Sequence, residues 1–135
     1  MIKVWYGEKG SGKTKSLIAK AEELAVNKKG DLVFLDRTPD RIFDLTHHIR
    51  VTNVSDFPVF SCATFIGFIS GVISNNYDVT DIFIDGLTHI TKNDSDNYEK
   101  FFKVLEDLSK QFDINFYLTF SGSNEPVPEY IKAYL

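Results

Sequence analysis

Residues 7–14, with the sequence GEKGSGKT, constrain the fold of this chain more than any other segment. An apolar run at residues 2–6 leads directly into this segment, and apolar residues with helical spacing follow it. Gly7 and Gly12 permit backbone angles that are closed to other residues, and they let the chain approach a bound group closely. A loop of this kind turns its N–H groups inward, and the helix that begins there adds the positive end of its dipole. The sequence therefore predicts a strand–loop–helix unit that binds an anion such as phosphate.

The same segment fits the pattern G-x-x-x-x-G-K-[ST], which is called the P-loop or Walker A motif. In such a loop the lysine, here Lys13, reaches the terminal phosphates of a nucleotide and acts in catalysis. The hydroxyl of the last residue, here Thr14, ligates a magnesium ion. We expect nine consecutive residues to form the nucleotide-binding loop: Gly7, Glu8, Lys9, Gly10, Ser11, Gly12, Lys13, Thr14 and Lys15.

Strand and helix patterns alternate along the rest of the chain, which predicts a parallel α/β sheet. The expected strands are at 2–6, 32–35, 49–54, 82–84 and 114–120. The expected helices are at 13–27, 39–47, 61–75 and 95–112, followed by a helical turn near the C-terminus. The predicted fold class is α/β, a three-layer sandwich with a mainly parallel sheet of about five strands. The length of 135 residues fits one domain, residues 1–135.

The two later helices carry more specific predictions. Gly67 and Gly71 lie one turn apart in the apolar segment 61–75, and we interpret them as allowing close packing against the sheet. Asp96 and Glu99 have the spacing of a capping box at the start of the helix at 95–112. Five apolar residues are predicted to form the buried stripe of that helix: Phe101, Phe102, Leu105, Leu108 and Phe112.

A magnesium site beside a P-loop requires a carboxylate, and parallel α/β sheets place ligands at the C-terminal ends of their strands. The run Ile82-Phe83-Ile84-Asp85 supplies bulky apolar residues followed by an acid, which is the Walker B pattern. We predict that Asp85 and Thr14 hold the magnesium ion. Asp81 lies about 13 Å away at the other end of the same strand, so we expect it to be solvated.

Over most of its length the chain resembles the P-loop NTPase superfamily, and the order of its elements is similar to the RecA-like side of that superfamily. It also resembles small P-loop proteins of Firmicutes that are often labelled as twitching-motility ATPases, and it has some similarity to type II thymidine kinases. The resemblance implies a P-loop NTPase fold with ATP and Mg²⁺ as cofactors. It also implies a polar sensor residue on the strand after the Walker B strand, at Thr119 or Ser121.

The chain departs from many hydrolytic members of the superfamily at Gly86, directly after Asp85, where those members carry a glutamate that orients water. Some RecA-like proteins place the catalytic acid at the end of the second strand, where this chain has Asp36; a loop-capping role for Asp36 is the equal alternative. Glu8 is a more remote candidate. We therefore expect an ATP-binding protein that is a slow ATPase or a nucleotide-dependent switch. The alternatives are a small-molecule, nucleoside-like kinase and a non-hydrolysing ATP-bound module that docks onto a partner protein.

Charge and composition argue against other classes of protein. The net charge of −4 disfavours a general nucleic-acid-binding surface, since phosphate backbones are bound by a surplus of lysine and arginine. Cys62 is the only cysteine, so no disulfide can form within the chain. The chain starts without a leader pattern, and its longest apolar run, 65–73, is too short for membrane insertion. We expect a cytoplasmic protein that binds a nucleotide, and a protein partner or a homo-oligomer stays open.

The three histidines and two of the arginines have weaker patterns. His47 and His48 are adjacent, so on a helix they would point about 100° apart and share one metal ion poorly. We interpret them as solvated or packed, and His89 likewise, with a phosphate contact as the alternative for His89. Arg37 and Arg41 are expected to form surface ion pairs, with a role as arginine fingers, in cis or across an oligomer interface, as the alternative.

Overall fold

The computed structural model describes residues 1–38, 48–123 and 126–135. The strands in this part of the chain are β1 (Ile2–Gly7), β2 (Asp31–Asp36), β3 (Ile49–Asn53), β4 (Val79–Ile84) and β5 (Asn115–Ser121). The helices are α1 (Lys13–Val26), α2 (Cys62–Asn75), α3 (Leu87–Ile90), α4 (Tyr98–Phe112) and α5 (Glu129–Lys132). Short 3₁₀ turns at Val54–Asp56 and Ser95–Asn97 precede α2 and α4, respectively.

All five strands are parallel, and they lie in the order β1-β5-β4-β2-β3. This confirms the prediction of an α/β fold with a parallel sheet of five strands. The last strand in the sequence, β5, is inserted between β1 and β4. At the outer edge of β1, the N–H of Val4 donates to the carbonyl of Tyr134 at 2.8 Å, so the end of the chain covers part of this edge.

Helices lie on both faces of the sheet because the strand residues alternate between two apolar clusters. On one face, Leu17 and Ala21 of α1 pack in a cluster with Phe34, Phe83 and Tyr117. On the other face, buried residues of α2, α4 and α5 form a larger cluster with the intervening strand residues. The six members from β4 and β5 in that larger cluster are Val79, Ile82, Ile84, Phe116, Leu118 and Phe120. A layered arrangement of helix, sheet and helix follows.

The helix α2 begins at a capping box that the sequence interpretation missed. The hydroxyl of Ser61 accepts from the N–H of Thr64 at 3.1 Å, and the hydroxyl of Thr64 accepts from the N–H of Ser61 at 3.0 Å. The close packing predicted for Gly67 and Gly71 is wrong. Both are exposed, and a Cβ atom placed at either position would meet no other atom within 4 Å. The helix buries the opposite face, which carries residues 65, 69 and 73.

The helix α4 begins at Tyr98, and the capping box predicted for Asp96 and Glu99 is wrong, since Asn97 is the N-cap and no side chain caps the helix there. Most of the predicted stripe faces the core, but Phe112 is 44% exposed. The loop before this helix is tied to α2 through Asp94. Its carboxylate accepts from the N–H of Cys62 at 2.9 Å and from the side chain of Asn97 at 2.8 Å.

Asp81, which we expected to be solvated, is buried at the start of β4. Its carboxylate accepts hydrogen bonds from the hydroxyl of Thr80 at 2.8 Å and from the side-chain amide of Asn115 at 3.2 Å. These partners compensate for the lost hydration of a buried charge. The helix predicted at 39–47 lies outside the described residues. Among the helices that are described, none has both the length and the apolar character needed to cross a membrane.

Candidate functional site

A cavity of about 1030 Å³ opens at the edge of the sheet where the parallel strands end. The loop before α1, the ends of β2, β4 and β5, and the segment that contains α3 all contribute to its lining. The lining residues that predictions had singled out are Lys9, Gly10, Gly12, Lys13, Thr14, Lys15, Asp36, Arg37, Asp85, Gly86, His89, Thr119 and Ser121. The sheet therefore brings distant parts of the sequence together at one site.

The loop between β1 and α1 is held open by left-handed glycines. Gly10 and Gly12 have φ angles of 85° and 87°, a region that side chains other than glycine rarely adopt. Gly12 is also the N-cap of α1 and supplies no side chain to the first turn. The N–H groups of that turn have no partners within the helix and point toward the start of the helix, which favours an anion there.

Lys13 lies at the start of α1 and folds back over the loop. Its Nζ atom donates to the carbonyl of Glu8 at 2.7 Å and lies 3.5 Å from the hydroxyl of Ser11. Partial burial lowers the pKa of Lys13 from its ordinary value, and the negative charge of Asp85 opposes that shift. The loop thus holds the positive charge of Lys13 against its own backbone.

The carboxylate of Asp85 joins three elements of the site. The hydroxyl of Thr14 donates to its Oδ1 and Oδ2 atoms at 3.0 and 3.2 Å. The hydroxyl of Thr119 donates to Oδ1 at 2.8 Å and accepts from the N–H of Gly86 at 2.7 Å. Asp85 is only 4% exposed and Thr119 only 2% exposed. Two hydroxyls therefore hold one buried carboxylate in a fixed orientation next to the loop.

Gly86 turns the chain sharply after β4, with a φ angle of 79°, and it is the N-cap of α3. A glutamate at this position would strain the backbone by about 1–2 kcal/mol. The backbone conformation at this position therefore favours glycine over a residue with a side chain.

Asp36, at the end of β2, is 4% exposed and also faces the cavity. Its Oδ1 atom accepts from the N–H groups of Arg37 and Thr38 at 2.6 and 3.3 Å, so the side chain caps the turn after the strand. The N–H of Asp85 donates to the carbonyl of Leu35 at 3.0 Å, which continues the pairing of β2 with β4. The two carboxylates thus lie at the ends of neighbouring strands, which are about 4.8 Å apart.

The hydroxyl of Thr14 and the carboxylate of Asp85 form a donor set that suits magnesium, which prefers oxygen ligands. These two groups already touch, so an ion could be held by them without a large movement of either element. In the part of the chain that the structure describes, no group of three or more His, Cys, Asp and Glu residues could hold a metal ion by itself. A metal ion at this site would therefore need further ligands from water or a bound phosphate.

Several residues of the cavity were missed by the sequence interpretation. Thr38, Thr88 and Asn93 line it, and the last two belong to the segment around α3, which the sequence patterns did not predict. A four-residue helix is too short for apolar periodicity to show, and Gly86 followed by apolar residues at 87 and 90 was the only available signal. Gly7, at the end of β1, is buried, whereas Glu8 and Ser11 are exposed on the loop. Arg41 and His47 lie outside the described residues.

A scan of the sequence against models of known protein families gives no match. A search of curated proteins finds no similar sequence either. Functional inference therefore depends on the geometry of the site and on the motifs that the sequence carries.

Proposed function

We propose that this chain is a P-loop nucleotide-binding protein that binds ATP with Mg²⁺ and acts as a slow ATPase or a nucleotide-dependent switch. The observation that carries the proposal is the contact between the Thr14 hydroxyl and the Asp85 carboxylate. The first belongs to the Walker A pattern and the second to the Walker B pattern, and 71 positions separate them in the sequence. If the match to either pattern were due to chance, there would be no reason for Thr14 and Asp85 to lie in contact.

The strand order supports the proposed P-loop fold. The insertion of β5 between β1 and β4 agrees with the RecA-like arrangement that the sequence suggests, and it places a polar residue, Thr119, beside Asp85. This is the place expected for a sensor residue. Ser121 also lines the cavity, two residues farther along β5, opposite Gly7 of β1.

Charge in the cavity supports a polyphosphate ligand. Of the described lining residues, four are Lys or Arg and two are Asp, although the whole chain has a net charge of −4. A local excess of positive charge attracts anions. Bound magnesium would neutralise phosphate charge, while Thr14 and Asp85 would orient it and Lys13 would contact the terminal phosphates.

Calorimetric titration with Mg–ATP tests the binding proposal. Lys13→Ala should abolish measurable binding, whereas the matched variant Lys20→Ala, on the same helix and paired with Glu23 at 3.6 Å, should bind like the wild type. Asp85→Asn should weaken the dependence of binding on magnesium more than binding itself. A wild-type protein that binds neither ATP nor GTP would refute the proposal.

The turnover proposal depends on Asp36. Asp36→Asn is a sharp test, because the amide oxygen can still accept from the N–H groups of Arg37 and Thr38 while the negative charge is lost. If Asp36 is the general base, phosphate release should fall at least tenfold while ATP affinity is retained. Unchanged turnover would leave Asp36 with the capping role alone.

One observation favours the small-molecule kinase as a second candidate. The cavity, at about 1030 Å³, reaches the upper end of the range of about 300–1,000 Å³ that is usual for ligand pockets. Thr38, Thr88 and Asn93 also line it, and they offer polar groups from other segments for a second ligand. A screen of small hydroxyl compounds that finds ATP consumed only with one acceptor would favour the kinase, and ADP formation without any acceptor would favour the ATPase.

A further inference from the structure

His89 lies on α3 and lines the cavity with an exposed side chain. Three basic residues from separate segments influence it: Lys9 from the loop before α1, Arg37 from the turn after β2, and Lys92 from the turn after α3. Lys9 and Arg37 line the same cavity. Positive charges of this kind disfavour the protonated form of a histidine.

The two carboxylates among the described lining residues are held in place by other groups. Asp85 accepts from Thr14 and Thr119, and Asp36 accepts from the backbone of the turn after β2. Lys13 and Lys15 add further positive charge to the lining. Partial burial, followed by the charges of Arg37, Lys9 and Lys92, lowers the pKa of His89 from its ordinary value. The neutral imidazole is therefore favoured in the protein alone.

Hydrogen bonds hold the segment that carries His89 in place. Lys92 and Asn93 have φ angles of 56° and 55°, which are unusual for residues other than glycine. The N–H of Asn93 donates to the carbonyl of Thr88 at 2.8 Å, and Asp94 is tied to the start of α2. Strained backbone that is held in place by hydrogen bonds is often found at binding sites.

We propose that His89 contacts a phosphate group of the bound nucleotide and takes up a proton as the phosphates enter the cavity. The inference rests on the proposed function, and it adds a dependence of binding on pH. The incoming phosphates place negative charge beside the imidazole, which opposes the effects of burial and of the charges of Arg37, Lys9 and Lys92 and favours the protonated form. It then donates a charge-assisted hydrogen bond to phosphate oxygen.

The direction in which pH changes the affinity follows from the pKa of His89 in the free protein and in the complex. The free protein has the lower pKa and the complex the higher one, so binding takes up a proton at pH values between the two. Affinity should rise as the pH falls through the pKa of the complex, and it should level off below the pKa of the free protein. For each unit by which binding raises the pKa, Mg–ATP binds about tenfold tighter at the low-pH limit than at the high-pH limit.

Calorimetry of Mg–ATP binding, in two buffers of different ionisation enthalpy at pH 6.5, measures the proton uptake. Wild type should take up more protons on binding than His89→Gln. Any change in protonation of the nucleotide itself is common to both proteins and cancels in the difference. His48→Gln replaces an exposed histidine at the start of β3 and should behave like wild type. Proton NMR of the wild type gives an independent measurement, because one imidazole signal should titrate at higher pH in the complex.

Equal proton uptake by wild type and His89→Gln, with no histidine pKa raised on binding, would overturn the role of His89 and leave the proposed function intact. Absence of Mg–ATP binding by the wild type at every pH would overturn both.

Discussion

Replacing Thr119 by valine tests the polar contacts beneath the cavity. Valine has nearly the shape of threonine but no hydroxyl, so the substitution deletes two hydrogen bonds without creating a large void. One is the 2.8 Å bond to the carboxylate of Asp85, and the other is the 2.7 Å bond from the N–H of Gly86. The side chain is 2% exposed, so water cannot replace the hydroxyl at its own position.

The expected cost follows from these two bonds. A hydrogen bond to a charged group contributes about 1.5–3 kcal/mol, and a buried N–H left without an acceptor costs about 1–3 kcal/mol. Asp85 retains its bonds from Thr14 and lies beside an open cavity that admits water, so the lower part of the combined range applies. We expect Thr119→Val to reduce the free energy of unfolding by about 2.5–4 kcal/mol.

Urea denaturation measures this loss. With a slope of about 2 kcal/mol per molar urea, the midpoint should fall by about 1–2 M. Thr119→Ser is the matched control, because it keeps the hydroxyl and loses only a methyl group, at a cost of about 0.5–1.5 kcal/mol. If the valine variant is as stable as the serine variant, the two bonds do not stabilise the fold and the reasoning is refuted.

Three further substitutions or reactions test other features of the structure. Gly86→Ala should lower the melting temperature by about 3–8 °C, because the φ angle of 79° is strained for alanine, whereas Gly86→Asn should lower it less. Gly122→Ala should lower the free energy of unfolding, measured by urea denaturation, by about 1–3 kcal/mol, because the added Cβ would lie 2.7 Å from the ring of Tyr6. The same change should cost much less in a Tyr6→Ala background. Equal costs in the two backgrounds would argue against the contact. Cys62 is buried and its pKa is raised to about 12, so at pH 8 only about one thiol in 10⁴ is ionised, and a disulfide reagent should label the protein only after unfolding; rapid labelling of the folded protein would contradict this.

The contact between Thr14 and Asp85 could be predicted because each residue belongs to a local pattern with a definite place in the fold. The loop motif places its hydroxyl at the start of a helix, and the apolar run before Asp85 places the carboxylate at the end of a buried strand. Parallel strands end at one edge, so the two groups were expected to share that edge. Local chemistry and the direction of the strands were sufficient for this part of the site.

The sequence could not show which of Thr119 and Ser121 lies beside Asp85. The two residues are two positions apart on one strand, so their side chains point to the same face. Only the register decides between them: Ile84 pairs with Leu118, so the next residues along, Asp85 and Thr119, lie side by side. Register depends on how whole strands pack, and the apolar pattern of β4 and β5 would tolerate a shift of two residues.

The exposure of Gly67 and Gly71 was also beyond prediction. The segment from residue 62 to 75 is apolar almost throughout, so the sequence does not show which side of the helix faces the sheet. The aromatic and branched residues occupy the buried side, and the small residues are left outside. The helix is therefore oriented so that its bulky side chains fill the space between it and the sheet.

The strand order itself explains why a cavity exists at this place. Neighbouring strands lie about 4.8 Å apart, so β1 and β4 are about 10 Å apart with β5 between them. The chain leaves β1 at Gly7, yet Thr14 reaches Asp85 at the end of β4, so the loop and the start of α1 must cross above the end of β5. That crossing leaves space bounded by the loop above and by Thr119 and Ser121 below. A P-loop motif next to β4 without the intervening strand would not enclose the same volume, so the cavity results from the topology as much as from the motif.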